Sequence, residues 1–292
     1  MGKRVIIECV GTKCDQRCVF CTVEHYRRKS VPEKDMDRIG SELRAAYGKG
    51  FRMVELIGGE LSIRSDFPDI VRMAKRIGFE DIGLSTNMHV FADETYTREI
   101  FLAGVNFVYL SLHGHDARTH EFATRAKGSF DRAVKAIGNI VRHESVYNSI
   151  NCVIHSENVN HLGEVCELIL KLNVKNILFM VMDPVNVGKK DFMGTVPRYD
   201  VVADALRGVI GKYADVLNIK IQNLPPCFFE EGTKFFSKYD ASDDTAIFLP
   251  DGKAIGLNRD TLNRKIKFQE CEGCRYDSEC AGYWKNYFKT AI

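Results

Sequence analysis

Along the first three quarters of the chain, short apolar runs alternate with longer stretches in which apolar residues recur every three or four positions. That alternation predicts strands joined by crossover helices, and hence a parallel sheet. The expected strands cover residues 4–10, 52–57, 81–87, 107–113, 149–155 and 176–182. Ser129 reads as a helix N-cap, followed at helical spacing by Phe130, Ala133, Val134, Ile137, Ile140 and Val141; Leu162, Val165, Cys166 and Ile169 mark a second helix. Six such β/α units with right-handed crossovers predict an α/β fold, a partial (β/α)6 TIM-type barrel with its active site at the C-terminal ends of the strands.

Alternate side chains of a strand point to opposite faces, so parity sorts the polar residues. Val108, Leu110 and Leu112 oppose Tyr109, Ser111 and His113; Ile150, Cys152 and Ile154 oppose Asn151, Val153 and His155; Leu84 and Thr86 oppose Ser85 and Asn87. With the apolar sets against the helices, Ser85, Asn87, Ser111, His113, Asn151 and His155 are expected to converge inside the barrel, where a cofactor should sit. Cys9, Cys152 and Cys166 share a face with apolar neighbours and read as small buried hydrophobes.

Composition narrows the class of partner. The chain has 292 residues, enough for a large core, and its net charge of +2 comes without a long run of like charge. That balance disfavours a dedicated nucleic-acid surface and suits a small molecule or a peptide. The N-terminus leads directly into a short strand containing Glu8, too brief and too polar for a signal peptide or a membrane span. The expected location is cytoplasmic, with no membrane partner. There, ten cysteines read as metal ligands or buried thiols rather than disulfides.

Three of those cysteines, Cys14, Cys18 and Cys21, fall within eight residues in the loop after the first strand. A cubane iron-sulfur cluster wants one protein ligand on each of its four irons, so three cysteines leave one iron open as a Lewis-acidic site. A partial zinc knuckle or three unrelated thiols would show the same spacing. A second motif, Gly58-Gly59-Glu60, follows the second strand; its glycines permit close backbone approach, and Glu60 is expected to present a carboxylate at the rim.

With these two motifs in order, the sequence resembles the radical S-adenosylmethionine (SAM) superfamily, whose signature is Cys-x3-Cys-x2-Cys after the first strand, an aromatic before the last cysteine, and Gly-Gly-Glu after the second strand. Cys14, Cys18, Phe20, Cys21, Gly58, Gly59 and Glu60 match in type, order and spacing, and the resemblance runs from about Val5 to Pro184. Leu61 stands where many members have proline, with only a change of turn geometry expected. The resemblance implies a 4Fe-4S cluster on Cys14, Cys18 and Cys21, with SAM chelated at the open iron and cleaved by one electron to methionine and a 5′-deoxyadenosyl radical that abstracts hydrogen from substrate. It also implies a flavodoxin- or ferredoxin-type electron donor. Glu60 or nearby backbone carbonyls are expected to hold the methionyl amino group, and Phe20 to lie near the adenine. Ser111 and Arg125 are candidates for the SAM carboxylate. Ser85, Asn87, Asn151 and His155 are candidates for ribose, cofactor or substrate contacts, and His113 and His115 read as polar lining rather than a second metal site.

After Asn223-Leu-Pro-Pro the alternation stops, which divides the chain into a barrel, 1–223, and an extension, 224–292. Residues 247–255, with Pro250-Asp-Gly between two apolar runs, predict a hairpin. Cys227, Cys271, Cys274 and Cys280 form a four-thiolate set that either zinc or an iron-sulfur cluster would satisfy. The tail is similar to the auxiliary-cluster extensions of the SPASM and twitch subgroups, which implies a second 4Fe-4S cluster, covered by Tyr283, Trp284, Tyr287 and Phe288. The function expected is hydrogen abstraction from a small molecule or peptide, leading to dehydrogenation, epimerisation or crosslinking. Epimerisation is disfavoured because parity turns Cys9 and Cys152 away from the interior, unless one of the four tail cysteines is not a ligand. The first strand begins at once, without a leader-binding module, which favours a small molecule or a peptide presented by a separate protein; no segment is long enough for a corrin-binding domain. A non-catalytic iron-sulfur or zinc protein, the alternative, leaves Gly58 to Glu60 and the converging polar residues without a purpose.

Overall fold

A computed structural model describes residues 4–185, 187, 189–229, 234–237 and 245–291. All six expected strands form: β1 (Val5–Cys9), β2 (Met53–Ile57), β3 (Asp81–Thr86), β4 (Phe107–Ser111), β5 (Tyr147–Ile154) and β6 (Asn176–Val181). A seventh, β7 (Asn218–Gln222), follows the helix Tyr199–Tyr213 and pairs parallel to β6. On the other side, β8 (Thr245–Phe248) pairs parallel to β1, and β9 (Ala254–Gly256) returns antiparallel to β8. The sheet order is β7-β6-β5-β4-β3-β2-β1-β8-β9.

The expected hairpin thus exists, closed by Gly252 N–H donating to Leu249 O (2.8 Å), but it belongs to the main sheet. The division at 223/224 does not separate two sheets, because β8 extends the barrel sheet at β1. Among the described residues only β10 (Lys265–Ile266) and β11 (Tyr283–Trp284) form a small ribbon of their own.

The apolar parity sets face the helices. Val54, Leu56, Ile82, Leu84, Val108, Leu110, Ile150 and Cys152 are fully buried there with the inner faces of the helices Phe67–Ile77, Ser129–Ile140 and Leu162–Lys171. Each such side chain contributes about 1.5–3 kcal/mol on removal from water. Ser129 is the first helical residue rather than the cap, which is Gly128; the buried Ser129 hydroxyl instead bonds Thr124 Oγ1 at 2.8 Å. One charged cluster interrupts this layer. Lys34 Nζ donates to Glu8 Oε1 and Glu42 Oε2, both at 2.6 Å, tying β1 to the helix Met36–Gly48.

The opposite face of the sheet encloses a cavity of about 470 Å³ to which every strand from β1 (Ile7) to β7 (Gln222) contributes a side chain. Seven consecutive strands can share one cavity only if the sheet wraps around it, which makes the fold a partial TIM-type barrel. Among the described residues no helix is long and apolar enough to cross a membrane.

Candidate active site

The cysteine loop and the Gly58-Gly59-Glu60 turn are hydrogen-bonded together. Gly59 N–H donates to Gly11 O (3.0 Å) and Glu60 N–H to Lys13 O (2.7 Å). A Cβ on Gly59 would lie 1.8 Å from Lys13 O, and one on Gly58 2.6 Å from Gly11 O, so only glycine allows this approach. The far side of the loop is tied by Arg17 N–H to Thr124 O (3.0 Å) and Val19 N–H to Ala123 O (2.9 Å). Cys14, Cys18 and Cys21 are thereby fixed at the cavity wall, with Phe20, Gly58 and Gly59 beside them.

Ser85, Asn87, Ser111, His113 and Asn151 also line the cavity. Two other candidates do not. Arg125 is the exposed C-cap of the helix Ala117–Thr124, in left-handed conformation (φ 53°), and is turned to solvent. His155 lies one residue past the end of β5, where strand parity no longer applies; it is buried, its Nε2 bonded to His113 O at 2.9 Å and its N–H donating to Asn158 Oδ1 at 2.8 Å.

Glu60 departs from its expected place at the rim. Its carboxylate is buried under the turn, where Oε1 accepts from Ser62 N–H (3.1 Å), Ser62 Oγ (2.5 Å) and Thr86 Oγ1 (2.8 Å), and Oε2 from Asn87 N–H (2.6 Å). Burial raises this carboxyl above its ordinary value, while the four donors favour the ionised form. Glu60 therefore clamps the ends of β2 and β3 together. It also sets Asn87, whose Nδ2 donates to Asp15 Oδ1 at 2.7 Å beside Cys14, and the same Asp15 carboxylate pairs with His89. Leu61, which stands where many members of the resembled family have proline, is buried at the start of the short turn Leu61–Ile63.

Burial favours the neutral form of three histidines, His113, His120 and His155. His113 Nδ1 accepts from Val153 N–H (3.2 Å), which puts its proton on Nε2, and the ring meets Phe20 edge-on at 4.8 Å. Burial holds His113 well below the usual imidazole range and lowers His120 and His155 to about 4. His115 leans on His161 at 4.9 Å, apart from the cavity.

Four cavity residues were not anticipated. Glu55 on β2 accepts from Ser85 Oγ at 2.6 Å, and burial raises its carboxyl. Its signal was available, since Met53, Glu55 and Ile57 alternate with the apolar Val54 and Leu56. Asp183, after β6, takes Arg264 Nη1 at 3.1 Å and Asn286 Nδ2 at 3.0 Å. Arg264 lies over the Trp284 ring at 5.1 Å, and Trp284 Nε1 donates to Val181 O at 3.3 Å. Trp284 is thus a wall of the barrel cavity rather than a cover for the tail cysteines. Of the four expected covers, Tyr283 contacts Cys227, while Tyr287 packs on Phe192 and Tyr199, and Phe288 on Phe268.

Both cysteine sets suit a metal cluster by their chemistry. Burial pushes the Cys14 thiol up to about 12 and raises Cys18 and Cys21, and Cys18 feels the charges of both the others. Three neighbouring half-buried thiolates need the positive charge of a cluster to persist. In the tail, burial raises Cys227 and Cys280; Cys227 also feels Cys280 and Cys274, and Cys280 feels Cys271. Among the described residues no three His, Cys, Asp or Glu side chains converge on one ion position; a polynuclear cluster asks each cysteine for a different iron.

The family model of the radical SAM superfamily matches residues 9–169, more than half of the chain. The chain belongs to the radical SAM superfamily. Radical SAM enzymes carry a 4Fe-4S cluster and use SAM, and the cysteine loop lies inside the matched segment. A probable GTP 3′,8-cyclase of Saccharolobus islandicus (strain M.14.25 / Kamchatka #1) is 28% identical over 181 residues, 61% of this chain and 57% of that protein. Another, of Methanopyrus kandleri, is 29% identical over 206 residues, 70% of this chain and 62% of its own length. The chain spans rather more than half the length of these curated relatives. Among solved structures, Streptococcus suis SuiB bound to S-adenosylmethionine superposes with a TM-score of 0.68 at 13% identity, covering 96% of this chain and 72% of SuiB. Native anSMEcpe with bound AdoMet gives 0.67 at 15% identity, covering 98% and 94%. At these identities the likeness concerns the fold.

Proposed function

We propose that this radical SAM enzyme binds its cluster through Cys14, Cys18 and Cys21 and takes a hydrogen atom from a small-molecule or peptide substrate held in the barrel cavity. The observation that carries this reading is the union of the cysteine loop with the Gly58-Gly59-Glu60 turn on the wall of that cavity. When bound, the cluster supplies the electron that splits SAM into methionine and a 5′-deoxyadenosyl radical. Gly58 and Gly59 leave room for the methionyl group, with their backbone groups facing the cavity. Phe20, held edge-on by His113, offers an apolar surface to the adenine, and Ser111 and Asn87 supply polar contacts nearby. Glu60 acts behind them as a positioning residue. Trp284, Met180 and Met182 form an apolar wall that keeps water from a radical.

We assign a second 4Fe-4S cluster to Cys227, Cys271, Cys274 and Cys280. The expected setting is a reducing cytoplasm, with a flavodoxin- or ferredoxin-type protein delivering the electron.

The relatives' printed activity suggests a second reading, in which the substrate is GTP. The charge of the cavity speaks against it. A triphosphate needs several free cationic groups, whereas the two arginines lining the cavity are engaged: Arg27 with Gln16 O (3.1 Å) and Glu24 (3.5 Å), Arg264 with Asp183 and Asp260. Glu55 and Asp183 add carboxyl groups to the lining rather than cations.

The test is to purify the protein without oxygen, load it with iron and sulfide, add SAM and a reductant, and look for 5′-deoxyadenosine. The wild type is expected to form it and a Cys14→Ala/Cys18→Ala/Cys21→Ala variant not to. Its absence from cluster-loaded wild type contradicts the proposal.

A further inference from the structure

Glu55 is a cavity carboxyl that neither the cluster nor SAM uses. It projects inward from β2, in register with Ile7 of β1 and Gly83 of β3, two residues below Ile57. At about 3.3 Å of rise per residue it lies about 7 Å deeper in the barrel than that end of the strand. Its neighbours give it little compensation. Ile7 is apolar, Gly83 has no side chain, and the hydrogen bond to it is the one from Ser85 Oγ at 2.6 Å. Taking a carboxyl out of water costs several kcal/mol unless a donor or a cation arrives to meet it. Burial accordingly raises Glu55, and it raises the facing Tyr109 to about 12, to which the charge of Glu55 adds.

A second observation has the same sense. Asn151 Oδ1, on the wall of the same cavity, is buried with no hydrogen-bond partner among the described residues. A buried acceptor left bare costs about 1–3 kcal/mol. The floor and wall therefore present two acceptors, one of them able to carry charge, while the cavity's arginines are turned to other partners. A substrate that completes this site brings donors. An ammonium group, with three N–H donors and a positive charge, satisfies the carboxyl best.

The geometry points to Glu55 as the anchor for an amino group of the substrate, with Asn151 accepting from a second substrate donor. The substrate class is then a small amine, such as an amino sugar or amino cyclitol, or the amine of a peptide residue. This rests on the proposed function for the cavity and narrows it. The same carboxyl offers a phosphorylated substrate no cation to pair with.

The test reads binding without turnover. Cluster-loaded protein with SAM is incubated with matched probes, glucosamine, glucose and glucose 6-phosphate, together with Nα-acetyl-lysine amide and Nα-acetyl-norleucine amide, and retained compounds are quantified by mass spectrometry after rapid filtration. At least one amine probe is expected to be retained at least tenfold above its amine-free partner. That preference should vanish in Glu55→Gln and persist in Glu55→Asp, with folding of each checked by thermal denaturation. Retention of no amine, an equal preference in Glu55→Gln, or stronger retention of glucose 6-phosphate overturns the inference. Amine retention by a protein that forms no 5′-deoxyadenosine sinks the proposed reaction alone and leaves the anchor standing.

Discussion

Replacing Glu60 with glutamine should separate a clamping role from a role as an open ligand. The carboxylate takes four donors, three on Oε1 and one on Oε2. Glutamine can keep its oxygen toward Ser62 and Thr86, but it must then turn an NH2 group toward the Asn87 N–H, 2.6 Å from the original acceptor. A backbone donor buried without an acceptor costs about 1–3 kcal/mol, and the three retained bonds lose their charge assistance, about 1 kcal/mol each. The relief of no longer burying a charge offsets part of this, which leaves a net loss of about 2–4 kcal/mol. Urea unfolding of the cluster-free protein under reducing conditions measures it, with an unchanged m-value expected. Displacement of Asn87, which braces Asp15 beside Cys14, should also weaken SAM binding to the loaded enzyme about tenfold, equivalent to about 1.4 kcal/mol. A stability loss below about 1 kcal/mol with unchanged SAM affinity would refute the clamp.

Three further outcomes follow from other parts of the molecule. Lys34→Met leaves Glu8 and Glu42 without their shared partner and should cost about 3–5 kcal/mol at high pH, read by urea unfolding. Because burial raises Glu8 to about 8, the loss shrinks near pH 6, where this carboxyl can stay protonated; an equal loss at both ends contradicts the account. His120 is depressed to about 4, so it contributes stability that is present above about 6.5 and lost as the pH falls toward 4. His120→Gln should flatten stability against pH by about 1.4 kcal/mol per pH unit in that window, and identical slopes rule this out. Changing Cys271 and Cys274 together to alanine should lower the iron content from about eight to about four per chain, with 5′-deoxyadenosine formation retained, whereas unchanged iron removes the auxiliary cluster.

Strict alternation made much of the site legible. Ser85, Ser111 and Asn151 lie inside regular strands, so parity alone places them on the cavity wall. His155 escaped the same rule because β5 ends at Ile154 and the chain turns into a short helical segment. Arg125, a candidate through the family resemblance, caps a helix in left-handed conformation and is exposed, which local sequence does not reveal. Glu55 lies within reach of parity, because Met53, Glu55 and Ile57 alternate with Val54 and Leu56. The position of Glu60 depends on how Gly58 and Gly59 dock against Gly11 and Lys13, an approach between segments more than forty residues apart in the chain. Trp284 and Arg264 reach the cavity through contacts some eighty to a hundred residues apart, and β8 joins β1 across almost the whole chain, so no local pattern announces them.

The central claim is that the iron left free by Cys14, Cys18 and Cys21 takes SAM. Electron-nuclear double resonance on the reduced, loaded enzyme, with SAM carrying ¹⁵N in its amino group, addresses it at the atoms concerned. A Cys271→Ala/Cys274→Ala background leaves one cluster to observe. A ¹⁵N coupling to that cluster is the result expected. SAM bound at saturation with no nitrogen coupling would contradict the account.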